Sequence, residues 1–222
     1  MLTHLRPAIA MIVLFTASTG LVYPLAITGI AQIALRGPAG GSLITRNGVV
    51  VGSALVGQNF ASDRYFHGRP SATSAADPND ATKTVDAPYN ATNSTGSNLG
   101  PTSQKLIDRV KASVAALGGS PQKPVPADAV TTSASGLDPD ISPSYAALQV
   151  ARVAGARKLD AAKLQALVAD QRSGSSLFGE SRVNTLNLNI ALDVLDSPPT
   201  AGTPTAAKQA DKAEIGLNKP TQ

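Results

Sequence analysis

From Pro7 to Leu35 no residue carries a charge, and this run constrains the chain more than any other feature. As a helix rising about 1.5 Å per residue, it exceeds the roughly 30 Å hydrocarbon core of a bilayer, so it can cross one. A secretory signal has an apolar stretch of only about 7 to 15 residues ending at small residues. Ala17-Ser18-Thr19 offers such an end, but Leu21 to Leu35 stays apolar beyond it, so residues 1–35 are expected to remain as a transmembrane anchor. Arg6 and the terminal amine favour a cytoplasmic amino terminus, with Arg36 and Arg46 arguing weakly for the reverse. Long carboxy-terminal domains cross largely regardless of such charges, which places residues 36–195 outside.

The anchor is interrupted by polar and small residues. Pro24 cannot donate to the helix ladder and its ring presses on the carbonyl of Gly20, so a kink or local opening is expected there. Thr16 and Gly20 form a small-residue pair at which another helix can approach closely, and Thr28 or Gln32, flanking Gly29, can hydrogen-bond across such a contact.

The 222 residues leave room for one compact domain beyond the anchor. Nineteen basic residues against 15 acidic ones are scattered, without the basic run and interleaved aromatics of a nucleic-acid binder. Cysteine is absent, which removes disulfides, thiolate metal sites and thiol nucleophiles.

Residues 36–41, Arg-Gly-Pro-Ala-Gly-Gly, predict a helix-breaking hinge. Two β-branched or apolar runs, 42–45 and 49–55, flank Asn47-Gly48 and predict a hairpin. Residues 71–104, rich in Ser, Thr, Asn, Asp and Pro, predict a long irregular loop. Leu106, Ile107, Val110, Val114 and Leu117 after Pro101 predict an amphipathic helix closed by Gly118-Gly119. Ser142-Pro143 opens a second helix towards Arg157, and Asp160 caps a third over residues 161 to about 171. Leu186, Leu188, Ile190 and Leu192, alternating with Asn187 and Asn189, predict a half-buried strand over 183–192. The fold class is therefore α+β: one transmembrane helix followed by a single α+β domain. Residues 196–222 are too poor in apolar side chains to offset the entropy of ordering and predict a disordered tail.

Candidate chemistry is sparse. Histidine occurs only at His4 and His67. Asp63 lies four residues before His67, but Tyr65, Phe66 and Pro70 make the segment extended or turned, so no metal site is expected. A phosphate-cradling glycine loop followed by Lys-Ser/Thr, the Asp-Lys-Thr-Gly phosphorylation sequence and a potassium selectivity filter are all missing. What stands out are three turn-rich clusters: Tyr65-Phe66-His67-Gly68-Arg69-Pro70-Ser71; Ser94 to Pro101, including Ser97 and Asn98; and Ser133 to Pro143, including Ser135, Gly136, Asp138 and Pro139, which leads into a helix carrying Gln149, Arg152 and Arg157. Each carries enough hydroxyls and amides to bond its own backbone.

Together with Tyr23-Pro24-Leu25, Thr28-Gly29, Ala31-Gln32, Gly52-Ser53, Gly57-Gln58, Tyr89-Asn90, Gln149 to Ala154, Val183-Asn184 and Leu186-x-Leu188-Asn189, these clusters resemble the C subunit of the bacterial Kdp-type potassium-transporting ATPase, over about residues 7 to 193. The resemblance implies a non-catalytic subunit of an inner-membrane complex with a channel-like potassium-binding subunit, a P-type ATPase subunit and a small single-helix subunit. It further implies assembly of that complex and a chaperone action raising the ATP affinity of the ATPase subunit, with Gln149 as the nucleotide-contacting residue, ATP as the one ligand and no firmly bound cofactor. An external domain cannot meet cytoplasmic ATP, so docking is favoured over ATP binding. Ala134 and Thr95 stand where the family commonly has glycine, and alanine resists positive φ. The competing readings are a secreted or anchored binding module and an exported hydrolase using Ser135 or His67.

Overall fold

The computed structural model describes residues 4–174 and 179–196. A continuous helical rod runs from Leu5 to Ala34, long and apolar enough to cross a membrane by length and composition, with none of it buried. It comprises α1 (Leu5–Ala17), a π-helical turn (Ser18–Val22) and α2 (Tyr23–Ala34). The opening expected near Gly20 takes the form of this π turn: the Tyr23 N–H bonds the Ser18 carbonyl, one residue further back than in an α-helix. Pro24 leaves a gap in the ladder that the wider turn absorbs. The Thr19 hydroxyl donates to the Phe15 carbonyl at 2.6 Å.

The rod does not end in a free hinge. Arg36–Ala39 form a short helical turn, α3, and Ser42 N–H donates to the Gly37 carbonyl at 2.9 Å. The glycines that were expected to loosen this segment let the chain fold back tightly, with Gly41 at φ 85°. The first hairpin follows as predicted, β1 (Leu43–Arg46) pairing antiparallel with β2 (Val49–Ser53). Both turn residues are left-handed, Asn47 at φ 52° and Gly48 at φ 78°, the conformation a two-residue hairpin demands.

The segment 71–104 is not wholly irregular. It contains a second hairpin, β3 (Ser74–Asp77) and β4 (Asp80–Asp86). Strand periodicity was absent because most of this hairpin faces solvent; backbone pairing and the Asp77 carboxylate, which accepts from Asn79 N–H at 2.8 Å, supply its order.

The remaining elements are α4 (Gln104–Ala116), α5 (Ala127–Val130), β5 (Asp140–Ile141), α6 (Pro143–Arg157), α7 (Ala161–Asp170), β6 (Arg172–Ser173), β7 (Arg182–Asn184) and α8 (Thr185–Asp196). Ser142 caps α6 by accepting from Tyr145 N–H, and Asp160 caps α7 by accepting from Ala162 N–H. A three-stranded antiparallel sheet has the order β5-β7-β6.

The strand expected over 183–192 is confined to Arg182–Asn184; from Thr185 the chain is helical. The Asn184 side chain accepts from Asn187 N–H at 3.1 Å, an N-terminal cap. Burial of Thr185, Leu186, Leu188, Asn189 and Leu192 follows helical spacing rather than alternation. The core is formed by Tyr145, Ala146, Val150 and Val153 of α6, Leu164 and Val168 of α7, Leu188 and Leu192 of α8, and Phe66, Ile141 and Val183 between them. Asp196, the first residue of the expected tail, closes α8; the rest of that tail lies outside the described residues.

Candidate functional site

Tyr65-Phe66-His67 threads into the domain as an extended segment with no strand beside it. Extended backbone of this kind must find side-chain partners when buried, and two carboxamides supply them. The Asn189 side chain on α8 accepts from Phe66 N–H and donates to the Phe66 carbonyl, both at 2.9 Å. The Gln149 side chain on α6 accepts from His67 N–H at 2.8 Å and donates to the His67 carbonyl at 3.1 Å. Each amide mimics one residue of a neighbouring strand. Phe66 is fully buried as a result, and Gln149 and Asn189 are 5% and 2% exposed.

Two arginines extend the strap. Arg152 donates to the Asp63 carbonyl at 2.8 Å, the Tyr65 carbonyl at 3.1 Å and Gln149 Oε1 at 2.7 Å. Arg157 donates Nε to the Arg64 carbonyl at 2.6 Å, pairs with Asp193 and Asp196 at 2.7 and 3.0 Å, and lies 4.6 Å above the Tyr65 ring. The last two pairs join α6 to the end of α8 through a guanidinium whose side chain is only 2% exposed.

Beyond Gly68 the three sequence clusters meet. Arg69 pairs with Asp138 at 2.9 Å and reaches the Thr132 carbonyl. Ser133 N–H donates to the Pro70 carbonyl at 2.9 Å, and the Ser71 hydroxyl to the Gly136 carbonyl at 2.9 Å. The Thr132 hydroxyl reaches that of Ser97 at 3.2 Å, and the Ser94 hydroxyl donates to the Ser135 carbonyl at 2.9 Å. Pro139 is tied to α8 through its carbonyl, which accepts from Thr185 N–H at 2.9 Å. Asn98 takes the left-handed region at φ 49°. Tyr89 packs over this junction and donates its hydroxyl to the Arg69 carbonyl at 2.8 Å; burial pushes its ionisation upwards. A side chain at Gly68 would collide with that hydroxyl. Ala134 and Thr95 keep ordinary negative φ, so their departure from glycine bends nothing; the glycines without room are Gly96, where a Cβ would lie 2.6 Å from the Ala134 carbonyl oxygen, and Gly136, where it would lie 2.8 Å from the Thr95 carbonyl oxygen.

His67 and Asp63 do not converge on a common point. His67 Nε2 sits 3.0 Å from the Ser62 carbonyl, and Asp63 pairs with Arg152 at 3.6 Å. Burial holds the His67 imidazole below its ordinary pKa, with Arg152 adding to that and the Ser62 bond and Asp63 opposing it. Ser135 bonds Ser133 Oγ and Leu137 N–H rather than a base. Among the described residues no group of three His, Asp or Glu is placed to hold a metal ion. Gly20, Pro24, Thr28, Gly29 and Gln32 all lie on the exposed rod, apart from the domain clusters.

The role of Asn189 escaped sequence reading because the alternating pattern put it on the solvent face of a strand; on a helix it points inward. Its one legible signal was a polar residue recurring within a leucine-rich run.

The family model described as "K+-transporting ATPase, c chain" matches residues 5–194. A "Potassium-transporting ATPase KdpC subunit" of Methylobacterium nodulans is 60% identical over 198 residues, covering 88% of this chain and 98% of its own. Proteins with the same description from Methylorubrum extorquens and Bradyrhizobium diazoefficiens are 58% and 59% identical, covering 86% and 87% of this chain and 97% and 98% of their own.

Proposed function

The chain belongs to the KdpC family of potassium-transporting ATPase subunits, and from that premise we propose that it is the single-pass, externally exposed assembly subunit of an ATP-driven potassium uptake complex. It is not itself the catalytic subunit of that ATPase. Its amino terminus faces the cytoplasm, its rod crosses the inner membrane, and its domain stands outside. Its partners are a channel-like potassium-binding subunit, a P-type ATPase subunit and a small single-helix subunit.

The observation that carries this reading is the junction. An apolar rod with no buried face continues through the short turn α3 into the first hairpin, and the chain between them is tied by bonds from Ala39 to Leu35, Ser42 to Gly37 and Ser53 to Gly41. A helix held that way can transmit the position of the domain to the membrane, and the reverse, as a loosely tethered anchor could not. The small-residue face around Gly20 and the hydroxyls of Thr16 and Thr28 suit packing against another transmembrane helix.

The chaperone effect on ATP affinity is assigned to assembly rather than to ATP contact. Gln149 spends both ends of its carboxamide on the His67 backbone, and a nucleotide would have to break those bonds. On this reading Gln149 acts by keeping the domain in the shape that docks.

The test is a pull-down of the carboxy-terminally tagged chain from potassium-starved bacteria in mild detergent, with potassium-stimulated ATPase activity assayed on the product. Co-purification with a P-type ATPase and a channel-like subunit is expected. Recovery of the chain alone, in a soluble and shortened form, would make it a secreted module instead. Direct ATP contact would appear as ATP-dependent thermal stabilisation of the isolated full chain that Gln149→Ala removes.

A further inference from the structure

Three leucines surround the point where the rod meets the domain. Leu35 ends the apolar run, Leu43 opens β1 and Leu55 follows β2; they are 58%, 59% and 62% exposed. The backbone holds them together. Ser42 N–H bonds the Gly37 carbonyl at 2.9 Å, and Ala54 N–H bonds the Ser42 carbonyl at 3.0 Å. The Ser53 hydroxyl donates to the Gly41 carbonyl at 2.6 Å and accepts from Leu55 N–H at 3.1 Å. Leu43 and Ser53 are paired across the hairpin. The base of the hairpin is thus fixed within a few bonds of the last turn of the rod.

Charge points the same way. No Asp or Glu occurs before Asp63, while Arg36 lies exposed between Leu35 and Leu43. Exposed leucines beside a cation, on a stretch of chain that itself carries no carboxylate, suit the boundary between lipid headgroups and acyl chains; Asp138, which lines a hollow with Leu55, and Asp140, which shares the Asn184 amide with Ala54, lie on the domain side of them. A water-exposed cluster of leucines at this place would otherwise cost solvation with no return.

We propose that Leu43 and Leu55, with Leu35 and Arg36, form a collar that rests in the interfacial layer of the bilayer on the side where the rod emerges. The occupant is the lipid itself, by continuity with the uncovered rod. The proposal rests on the rod being a membrane anchor. Its consequence is that the domain has a set height and tilt: Ala54, next to the collar, accepts a bond from the Asn184 side chain at 3.0 Å, which links the hairpin base to the β5-β7-β6 sheet.

The chain has no tryptophan, so a single introduced one reports alone. Leu43→Trp, Leu55→Trp and, within the rod, Leu25→Trp are each placed in the full chain and reconstituted into phosphatidylcholine–phosphatidylglycerol vesicles. The lipids carry bromine either near the glycerol or deep in the acyl chain. Blue-shifted emission at Leu43→Trp and Leu55→Trp, quenched more by the shallow bromines, with Leu25→Trp quenched more by the deep ones, is the expected result. Water-like, unquenched emission from both collar positions beside a quenched Leu25→Trp would overturn the collar and leave the anchor standing. No quenching at Leu25→Trp would overturn the anchor, and the collar with it. Quenching at the collar that disappears when the partner subunits are present would show that protein, not lipid, covers these leucines, and would equally overturn the proposal.

Discussion

Gln149 and Asn189 sit on different helices and hold consecutive residues by the same two-point device, the first bonding N–H and carbonyl of His67 and the second those of Phe66. The pair ties α6 and α8 through a segment that belongs to neither. It replaces a strand pairing with two carboxamides, so the segment is ordered only when both helices are in place.

The two amides should not be equivalent. Asn189→Ala leaves the N–H and carbonyl of fully buried Phe66 without partners, and should lower stability by about 3 kcal/mol. Gln149→Ala exposes the backbone of His67, which lies nearer solvent, so water replaces part of the loss and about 1 to 2 kcal/mol is expected. Thermal unfolding of the full chain in detergent measures both. The double variant should lose less than the sum, because the segment is released by either change.

Gly68→Ala should be severely disruptive because its methyl meets the Tyr89 hydroxyl. Tyr89→Phe alone forfeits one hydrogen bond to the Arg69 carbonyl, about 1 kcal/mol. Adding Tyr89→Phe to Gly68→Ala removes the colliding oxygen and should recover part of the stability. Additive losses in the same unfolding assay would show that the collision is not the cause.

Arg157→Met keeps much of the side-chain volume but removes the guanidinium's bonds to Asp193, Asp196 and the Arg64 carbonyl, leaving Asp193 to Arg46 and Tyr65 and Asp196 to Arg64. The guanidinium is buried but both carboxylates are 29% exposed and keep other cations, so the expected loss is about 1 to 2 kcal/mol. Because these pairs hold the last turn of α8, amide hydrogen exchange should accelerate at residues 193–196 before it does so in α7.

His67 gives a pH dependence of definite sign. Its folded pKa lies below the ordinary value of 6.5, so as pH falls the unfolded chain takes up the proton first. The neutral imidazole's contribution is complete above that value, declines between it and the lower folded pKa, and changes no further below. His67→Gln should flatten that part of the melting-temperature profile. An unchanged slope would place the pH sensitivity elsewhere.

Gly20→Leu tests the rod. A Cβ at Gly20 meets only the Thr16 methyl of the same helix, at 3.9 Å, so the substitution should leave the isolated chain intact. Reduced recovery of the partner subunits, with unaltered unfolding of the variant itself, is expected if another helix packs there. Full recovery would count against that contact.

Local chemistry was enough to read several elements from the sequence alone. An uncharged run from Pro7 to Leu35 has no alternative to a long apolar helix, Asn47-Gly48 accepts the left-handed angles of a tight turn, and Ser142-Pro143 caps and starts α6 whatever lies around it. The clusters around Phe66, Ser97 and Gly136 were visible as unusual turns, because glycine, proline and hydroxyls mark turns by their own backbone preferences. Tertiary structure decided the rest. The leucines at 186, 188, 190 and 192 fit an alternating strand as well as a helix, and only packing of Leu188 and Leu192 into the core, with Asn184 as the cap, selects the helix. Gln149 and Asn189 find their partners 82 and 123 residues away. No local preference encodes such a pairing: a carboxamide can bond any exposed peptide group, and it is the folded core that brings these two to Phe66 and His67 and excludes the water that would otherwise compete.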